Sequence, residues 1–324
     1  MQKRKLGYSD LEFSTVGFGS WAAGGPDWKA GWGPQDDKDS SAAIRRAIEC
    51  GVNWIDTAAV YGLGHSETVV GQALQGIKQQ VFVATKCGRR QQPGGDLYGD
   101  LRPEFIREEC ENSLRRLHIE RIDLYQIHWP QPDEQIEDAW TEISRLVQQG
   151  KVRYAGVSNF SVAQMERAQK IHPIASSQPP YNMLRREIEA DVLPYCRKHN
   201  IGVLCYSPMQ NGLLTGSFSK ERIASLPAND FRKNVARFQE PELSITLNTV
   251  EKLKIVAARL SITCSQLAIA WTLRRPEVTS AIVGARKPSQ IEETARAGDI
   301  VIPPDALSEI EAILQEHAKH LVQK

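Results

Sequence analysis

The sequence has almost no excess of charge of either sign. Its 324 residues hold 40 Lys and Arg against 39 Asp and Glu, a formal net charge of +1. Without a basic surplus it offers no electrostatic footprint for nucleic acid or for an anionic membrane surface. It also lacks any run of about 18 apolar residues, which excludes a transmembrane helix. The N-terminus, Met1-Gln2-Lys3-Arg4-Lys5-Leu6-Gly7, is basic but has no apolar segment behind it, so it does not read as a signal peptide. Cysteine is scarce and scattered: Cys50, Cys87, Cys110, Cys196, Cys205 and Cys264 form no C-x-x-C. Most lie inside apolar helix or strand patterns, which reads as buried free thiols in a reducing compartment, the cytoplasm. No Cys/His cluster has ligand spacing, so no metal site is expected. Low-complexity stretches are missing, as is any linker long enough to divide two domains. Residues 1–324 are therefore expected to form one domain. A hydrophobic share of 41% gives it a core that needs no disulfide or metal staple.

What is present is an alternation. Short apolar, β-rich runs occur at 16–19, 53–57, 81–86, 122–128, 152–158, 174–178, 202–206 and 280–283. They lack polar alternation, as strands buried on both faces do. Helical patterns lie between them. Ile136, Trp140, Ile143 and Val147 fall on one stripe, and Gly150 supplies the stop. Ser161 with Gln164 spells a capping box, and Pro103 and Pro288 suit first helical turns. Eight strand–helix units predict an α/β fold, a (β/α)₈ barrel. The gap before the last strand is about twice the others and holds two helical patterns, 245–260 and 264–274, so one helix is extra. Residues 1–15, with Tyr8-Ser9-Asp10 between β-like runs, predict a hairpin closing the barrel bottom. A further helix is expected over 305–319.

Gly17-Phe-Gly19-Ser-Trp-Ala22 fits the dinucleotide pattern G-x-G-x-x-A after a strand. That motif works only when a helix starts at the glycines and points its N-terminus at a pyrophosphate. Here Ala23-Gly24-Gly25-Pro26-Asp27 follows, and helical patterning begins only near Asp39. The glycines are therefore expected to mark a strand-to-loop junction.

Barrel enzymes keep their sites at the C-terminal ends of the strands. The second strand ends at Asp56 and leads to Tyr61, the third ends at Lys86, and the fourth ends at His128. A phenol has a pKa near 10 and is a weak acid at neutral pH. An adjacent ammonium favours phenolate and lowers that value. Asp56 supplies the counter-ion a buried Lys86 needs. A neutral imidazole donates to a carbonyl oxygen and orients it beside the phenol. The set is equipment for protonating an oxygen while hydride reaches the attached carbon.

Asp56, Tyr61, Lys86 and His128 resemble, in type, order and strand position, the Asp–Tyr–Lys–His tetrad of the aldo-keto reductases. Further similar blocks are 51–62, Gly156-Val-Ser158-Asn159-Phe, Gln178 with Tyr181-Asn182, Tyr206-Ser207-Pro208, Gly212-Leu-Leu-Thr-Gly216 and Gly284-Ala-Arg286-Lys287-Pro288. They span nearly the whole chain and look like the branch of bacterial, plant and potassium-channel β-subunit proteins. The resemblance implies a nicotinamide cofactor held without a Rossmann fold. Ser158, Asn159 and Gln178 would bond the carboxamide, and Tyr206 would stack on the ring. The segment from Ser207 to Thr215, with Pro208, Met209, Gly212 and Leu213, would cover the pyrophosphate. Gly284, Arg286 and Lys287 follow the eighth strand, at the usual barrel phosphate site. A guanidinium at a helix N-terminus suits a 2′-phosphate, so NADPH/NADP+ is expected over NADH. By the same resemblance Gln290 and Glu293 contact the adenosine end, where Thr294 departs from a common Asn.

The loops after the first and third strands hold Trp21, Trp28, Trp32 and Tyr98. Such a rim serves either as an apolar carbonyl pocket or as loop anchoring. Trp21 is its foremost contact residue and is counted with the cofactor site. The short tail after the last helix leaves no long flap, so an open, tolerant site is expected. The expected function is NADPH-dependent reduction of aldehydes or ketones to alcohols, with Tyr61 as general acid. The expected partner is a small carbonyl substrate, not nucleic acid, a membrane or a protein. The alternative is a redox-sensing regulatory subunit with little turnover. An N-terminal segment able to plug a channel is missing, which favours the enzyme.

Overall fold

A computed structural model describes residues 1–26, 28–92 and 95–322. Asp27 of the glycine-motif segment, positions 93 and 94 of the loop after the third strand, and the last two residues of the expected domain lie outside them. The expected strands appear as β1 (Val16–Gly19), β2 (Trp54–Asp56), β3 (Phe82–Cys87), β4 (Ile122–Ile127), β5 (Val152–Ser158), β6 (Ser176–Gln178), β7 (Gly202–Cys205) and β8 (Val278–Gly284). Each pairs in parallel with the next, and β8 returns to β1 from Ala281↔Val16 to Gly284↔Gly19. A closed barrel leaves no unpaired strand edge.

The bottom is closed by an antiparallel hairpin, Lys3–Lys5 with Glu12–Ser14. Leu6, Leu11 and Phe13 enter the barrel from it and meet Trp54, Phe82, Leu124 and Leu204. Phe13 stacks on Trp54 with centroids 4.6 Å apart. This plug explains the glycine motif. A Cβ on Gly17 would strike the Trp54 indole, and one on Gly19 would sit 2.7 Å from Ile282 Cγ2. After β1 comes only a 3₁₀ turn, Trp21–Gly24, and the next helix, Asp37–Glu49, is capped by Asp36. The glycines therefore serve interior packing. Gly17→Ala is expected to destabilise the fold by about 1–3 kcal/mol through overpacking. Chemical denaturation would show it, and an unchanged midpoint would contradict the packing role.

The helix signals correspond to real ends. Pro103 opens Pro103–Leu117 and Pro288 opens Pro288–Ala295, while Ser161 and Gln164 form the capping box of Val162–Gln169. Ile136, Trp140 and Ile143 are buried on Ile136–Gln148, and Gly150 follows it at φ 75°. In the long gap, Cys264–Leu273 is buried along its whole length and is the barrel helix before β8. Glu242–Arg259 is the extra one. It packs on Pro304–Val322, with Thr249 Oγ1 2.9 Å from His317 Nδ1. No single described helix is long and apolar enough to cross a membrane. The one pair that passes together, Glu242–Arg259 with Cys264–Leu273, is bent by 88°. Among the described residues no His, Cys, Asp and Glu cluster could hold a metal ion.

Candidate active site

Three strand ends and one strained turn assemble the tetrad. Asp56 ends β2, Lys86 lies near the end of β3, and His128 follows β4, its amide bonded to Cys87 O at 3.0 Å. Tyr61 opens a turn in which Gly62, Leu63 and Gly64 all have positive φ. Gly62 must be glycine, because a Cβ there would strike Gly24 O. The turn sets the Tyr61 ring over Lys86.

Lys86 is fully buried, and its ammonium finds three acceptors for three protons. Nζ donates to Asp56 Oδ2 at 2.6 Å, Thr57 O at 2.9 Å and Tyr61 Oη at 3.3 Å. Tyr61 thus accepts from Lys86, which leaves its own O–H free to point into the cavity. The His128 ring stands edge-on to Tyr61, centroids 5.6 Å apart. Burial, then the charges of Lys86 and Arg89, hold His128 well below the ordinary histidine range, so the imidazole is neutral.

The phenol departs from the sequence-based expectation. Burial, followed by the Asp56 charge, pushes Tyr61 well above its usual value. Desolvation dominates here, because a phenolate would lose its water. Burial likewise pulls Lys86 down, opposed by Asp56. Tyr61 is therefore a proton-bearing donor at neutral pH.

The ends of β5, β6 and β7 are tied to this centre. Gln178 Nε2 donates to Asp56 Oδ1 at 2.8 Å, and Ser158 Oγ donates to Gln178 O at 2.9 Å. Asn159 Nδ2 donates to His128 O at 3.0 Å, and Tyr206 Oη donates to Asn159 Oδ1 at 2.8 Å. Gln178 Oε1 accepts nothing from the described residues, so one amide acceptor remains open on a residue that lines the same cavity as Tyr206.

A cavity of about 530 Å³ opens above. Of the residues singled out in the sequence, Asp56, Tyr61, His128, Trp21, Ser158, Asn159, Gln178, Tyr206, Ser207, Pro208, Met209, Gly212, Gly284, Arg286 and Gln290 line it. Four do not. Lys86 sits behind Tyr61, and Leu213 is buried in a side cluster with Phe218 and Phe238. Lys287 is exposed. Glu293 accepts from Thr263 Oγ1 at 2.7 Å and borders a separate surface hollow.

Other contributors escaped sequence reading. A second hairpin, Arg89–Gln91 with Leu97–Gly99, follows β3 and brings Arg89 and Leu97 to the cavity. The long loop after β7 meets the loop after β1 across the mouth. Phe231 N donates to Gly31 O at 3.2 Å, and Trp21 stacks on Phe231 at 5.0 Å. Arg286 Nε donates to Gln35 Oε1 at 2.7 Å, and its Nη2 donates to Pro34 O. These partners come from remote loops whose meeting leaves no periodic trace in the sequence.

The residues present fit a nicotinamide dinucleotide. The cavity is of ligand size, with an aromatic face and an open amide acceptor at one end. At the other end, a Cβ on Gly284 would meet only Gly19 O at 3.6 Å, which leaves room for close approach. Arg286 stands beside the N-terminus of Pro288–Ala295 there.

Comparison with known proteins agrees with this geometry. Residues 15–315 match the Aldo/keto reductase family. The chain is 37% identical to aldo-keto reductase YhdN of Bacillus subtilis, covering 97% of this chain and 94% of that protein. It is 35% identical to the NADH-specific methylglyoxal reductase of Escherichia coli, covering 93% and 94%. The solved glycerol dehydrogenase of Gluconobacter oxydans is 38% identical with a TM-score of 0.88, covering 97% of this chain and 95% of that one. An aldo-keto reductase structure from Bacillus halodurans gives 26% and 0.79, covering 97% and 96%. The chain therefore belongs to the aldo/keto reductase family and is an oxidoreductase that uses a nicotinamide cofactor on carbonyl compounds.

Proposed function

We propose that this enzyme reduces small aldehydes and ketones to alcohols with NADPH, Tyr61 giving the proton. One observation carries the reading: Lys86 Nζ donates to Tyr61 Oη, so the phenolic proton is presented to the cavity beside a neutral His128. The nicotinamide, when bound, supplies the hydride. The chain does the rest. His128 donates to the carbonyl oxygen and fixes its direction. Tyr61 Oη passes its proton to that oxygen, and Lys86 stabilises the phenolate left behind. Asp56 holds Lys86, and Gln178 holds Asp56. Small carbonyls of the methylglyoxal type and the polyol glycerol, named for two relatives, are the first substrates to try. The six unpaired thiols suit the cytoplasm. A carbonyl panel followed by NADPH absorbance, with NADH in parallel, tests the reading. No turnover with any aldehyde would overturn it.

Cofactor choice rests on Arg286. A 2′-phosphate would replace its two neutral acceptors, Gln35 Oε1 and Pro34 O, with a dianion. Losing that contact costs about 1.5–3 kcal/mol, or one to two decades in affinity. Arg286→Ala should therefore raise Kd for NADPH by that factor and leave Kd for NADH within about twofold. Fluorescence titration of both cofactors decides it. Equal weakening of both, or of neither, removes the case for NADPH, and the NADH-specific relative shows that the family also contains that preference.

A further inference from the structure

Four arginines line the cavity: Arg89, Arg222, Arg232 and Arg286. Three are occupied by the protein. Arg232 makes a two-pronged contact with Asp230, at 2.9 and 2.6 Å. Arg222 Nη1 donates to Ser217 O at 2.8 Å. Arg286 is held by Gln35 and Pro34. These three stand with the loops after β7 and β8, at the end assigned above to the cofactor's phosphates. Arg89 stands apart from them. It follows β3 by two residues, on the hairpin strand Arg89–Gln91. Among the described residues its guanidinium makes no hydrogen bond and no ion pair.

Its position is the reacting end of the cavity. Tyr61, His128, Trp129, Leu97 and Trp28 share that lining. The His128 imidazole there is neutral chiefly through its own burial, so the state of that ring does not depend on Arg89. Burial pulls the guanidinium below the ordinary arginine range, and no carboxylate opposes the pull. The neighbouring Arg90 is different: it pairs with Asp100 at 3.2 Å and lies over Phe105. The hairpin has thus neutralised one of two adjacent arginines and left the other uncompensated in the cavity that Trp28, Tyr61, His128 and Trp129 also line. A half-buried guanidinium without a partner is stabilised by an anion that arrives with the ligand.

We infer that Arg89 is a specificity-determining residue that selects carbonyl substrates carrying a second, anionic group, a carboxylate or a phosphate ester. The inference rests on the carbonyl-reductase reading and names a substrate class within it. The carbonyl oxygen would lie at Tyr61 and His128 while the anion meets Arg89. Such a pairing acts in binding, equally in ground and transition states, so it should appear in KM more than in kcat.

The test uses two matched pairs of substrates with the whole enzyme and NADPH. Succinic semialdehyde is compared with butyraldehyde, and glyceraldehyde 3-phosphate with glyceraldehyde. The native enzyme should favour the anionic member of at least one pair by about tenfold or more in kcat/KM. Arg89→Met should lower kcat/KM for that member by about tenfold to a hundredfold, mostly through KM. Its neutral twin should change by less than about twofold, and Arg89→Lys should keep part of the preference. A preference confined to the first pair assigns a carboxylate, and one confined to the second assigns a phosphate. Reduction of the neutral twins without an Arg89-dependent preference overturns this inference alone. So does an equal loss on both twins, or a raised Kd for NADPH in Arg89→Met, which would give Arg89 to folding or to the cofactor. Failure to reduce any of the four overturns the carbonyl-reductase reading and this inference with it.

Discussion

Tyr61→Phe should lower kcat for carbonyl reduction by about 10²–10⁴-fold or more, the range for a positioned general acid. Only one oxygen is removed. The ring keeps its place between Trp21 and Trp28, with centroids 6.2 and 5.8 Å away. Lys86 loses its longest hydrogen bond but retains Asp56 and Thr57 O. That loss is worth about 1 kcal/mol in stability. Cofactor affinity should stay within about twofold, because no proposed cofactor contact depends on the hydroxyl. Single-turnover reduction of an aldehyde, paired with fluorescence titration of NADPH, separates chemistry from binding. Near-native turnover in the variant would remove Tyr61 from the mechanism.

Lys86→Met should damage the rate as severely, with a different pH signature. In the native enzyme burial raises the phenol and depresses the imidazole. Reduction needs protonated Tyr61 and neutral His128. Rate is lost only as pH climbs through the raised phenol value or falls through the lowered imidazole value. The reductive kcat/KM should therefore be flat across the neutral range. Removing the ammonium removes the cation that donates to the Tyr61 oxygen and leaves the Asp56 charge unopposed, so the alkaline limb should move to still higher pH. The variant also leaves the Asp56 carboxylate buried without its counter-ion, which costs about 3–5 kcal/mol. The double variant Lys86→Met/Asp56→Asn should recover much of that stability but not the rate. A pH–rate profile on the single variant and thermal melts on both distinguish the roles. An unmoved alkaline limb in a still-active Lys86→Met would give Lys86 a structural part only.

The barrel was legible because its signals are local. Apolar runs of strand length, Pro at first turns and the Ser161–Gln164 box each fix a position from a few neighbouring residues. The four tetrad residues were legible for a related reason, since strand ends converge on one mouth wherever eight strands close. The hairpin around Arg89 was not, because its two strands, paired only with each other, are three residues each and too short to show a pattern. Nor was the clasp of Arg286 on Gln35, which joins positions 251 residues apart. The direction of the Tyr61 shift was missed because residue types reveal a neighbouring charge but not the depth at which it is buried. Leu213 and Glu293 fall where the family pattern places them in sequence, yet their side chains turn to packing and to Thr263.

The buried thiols have a chemical consequence for an enzyme of this kind. Reactive aldehydes and dicarbonyls are electrophiles, and the form of cysteine they attack is the thiolate. Five of the six cysteines are buried, and burial raises each: Cys110 and Cys196 to about 12, Cys264 to about 11, Cys87 and Cys205 well above the usual thiol value. Cys87 lies one residue from Lys86, at the end of β3. At neutral pH these groups hold almost no thiolate, and none of it faces the carbonyl. The protein can therefore hold electrophilic carbonyls beside the reacting residues without offering them any of these five sulfurs, so alkylation of these five cysteines should not be a route by which turnover at high substrate load inactivates it.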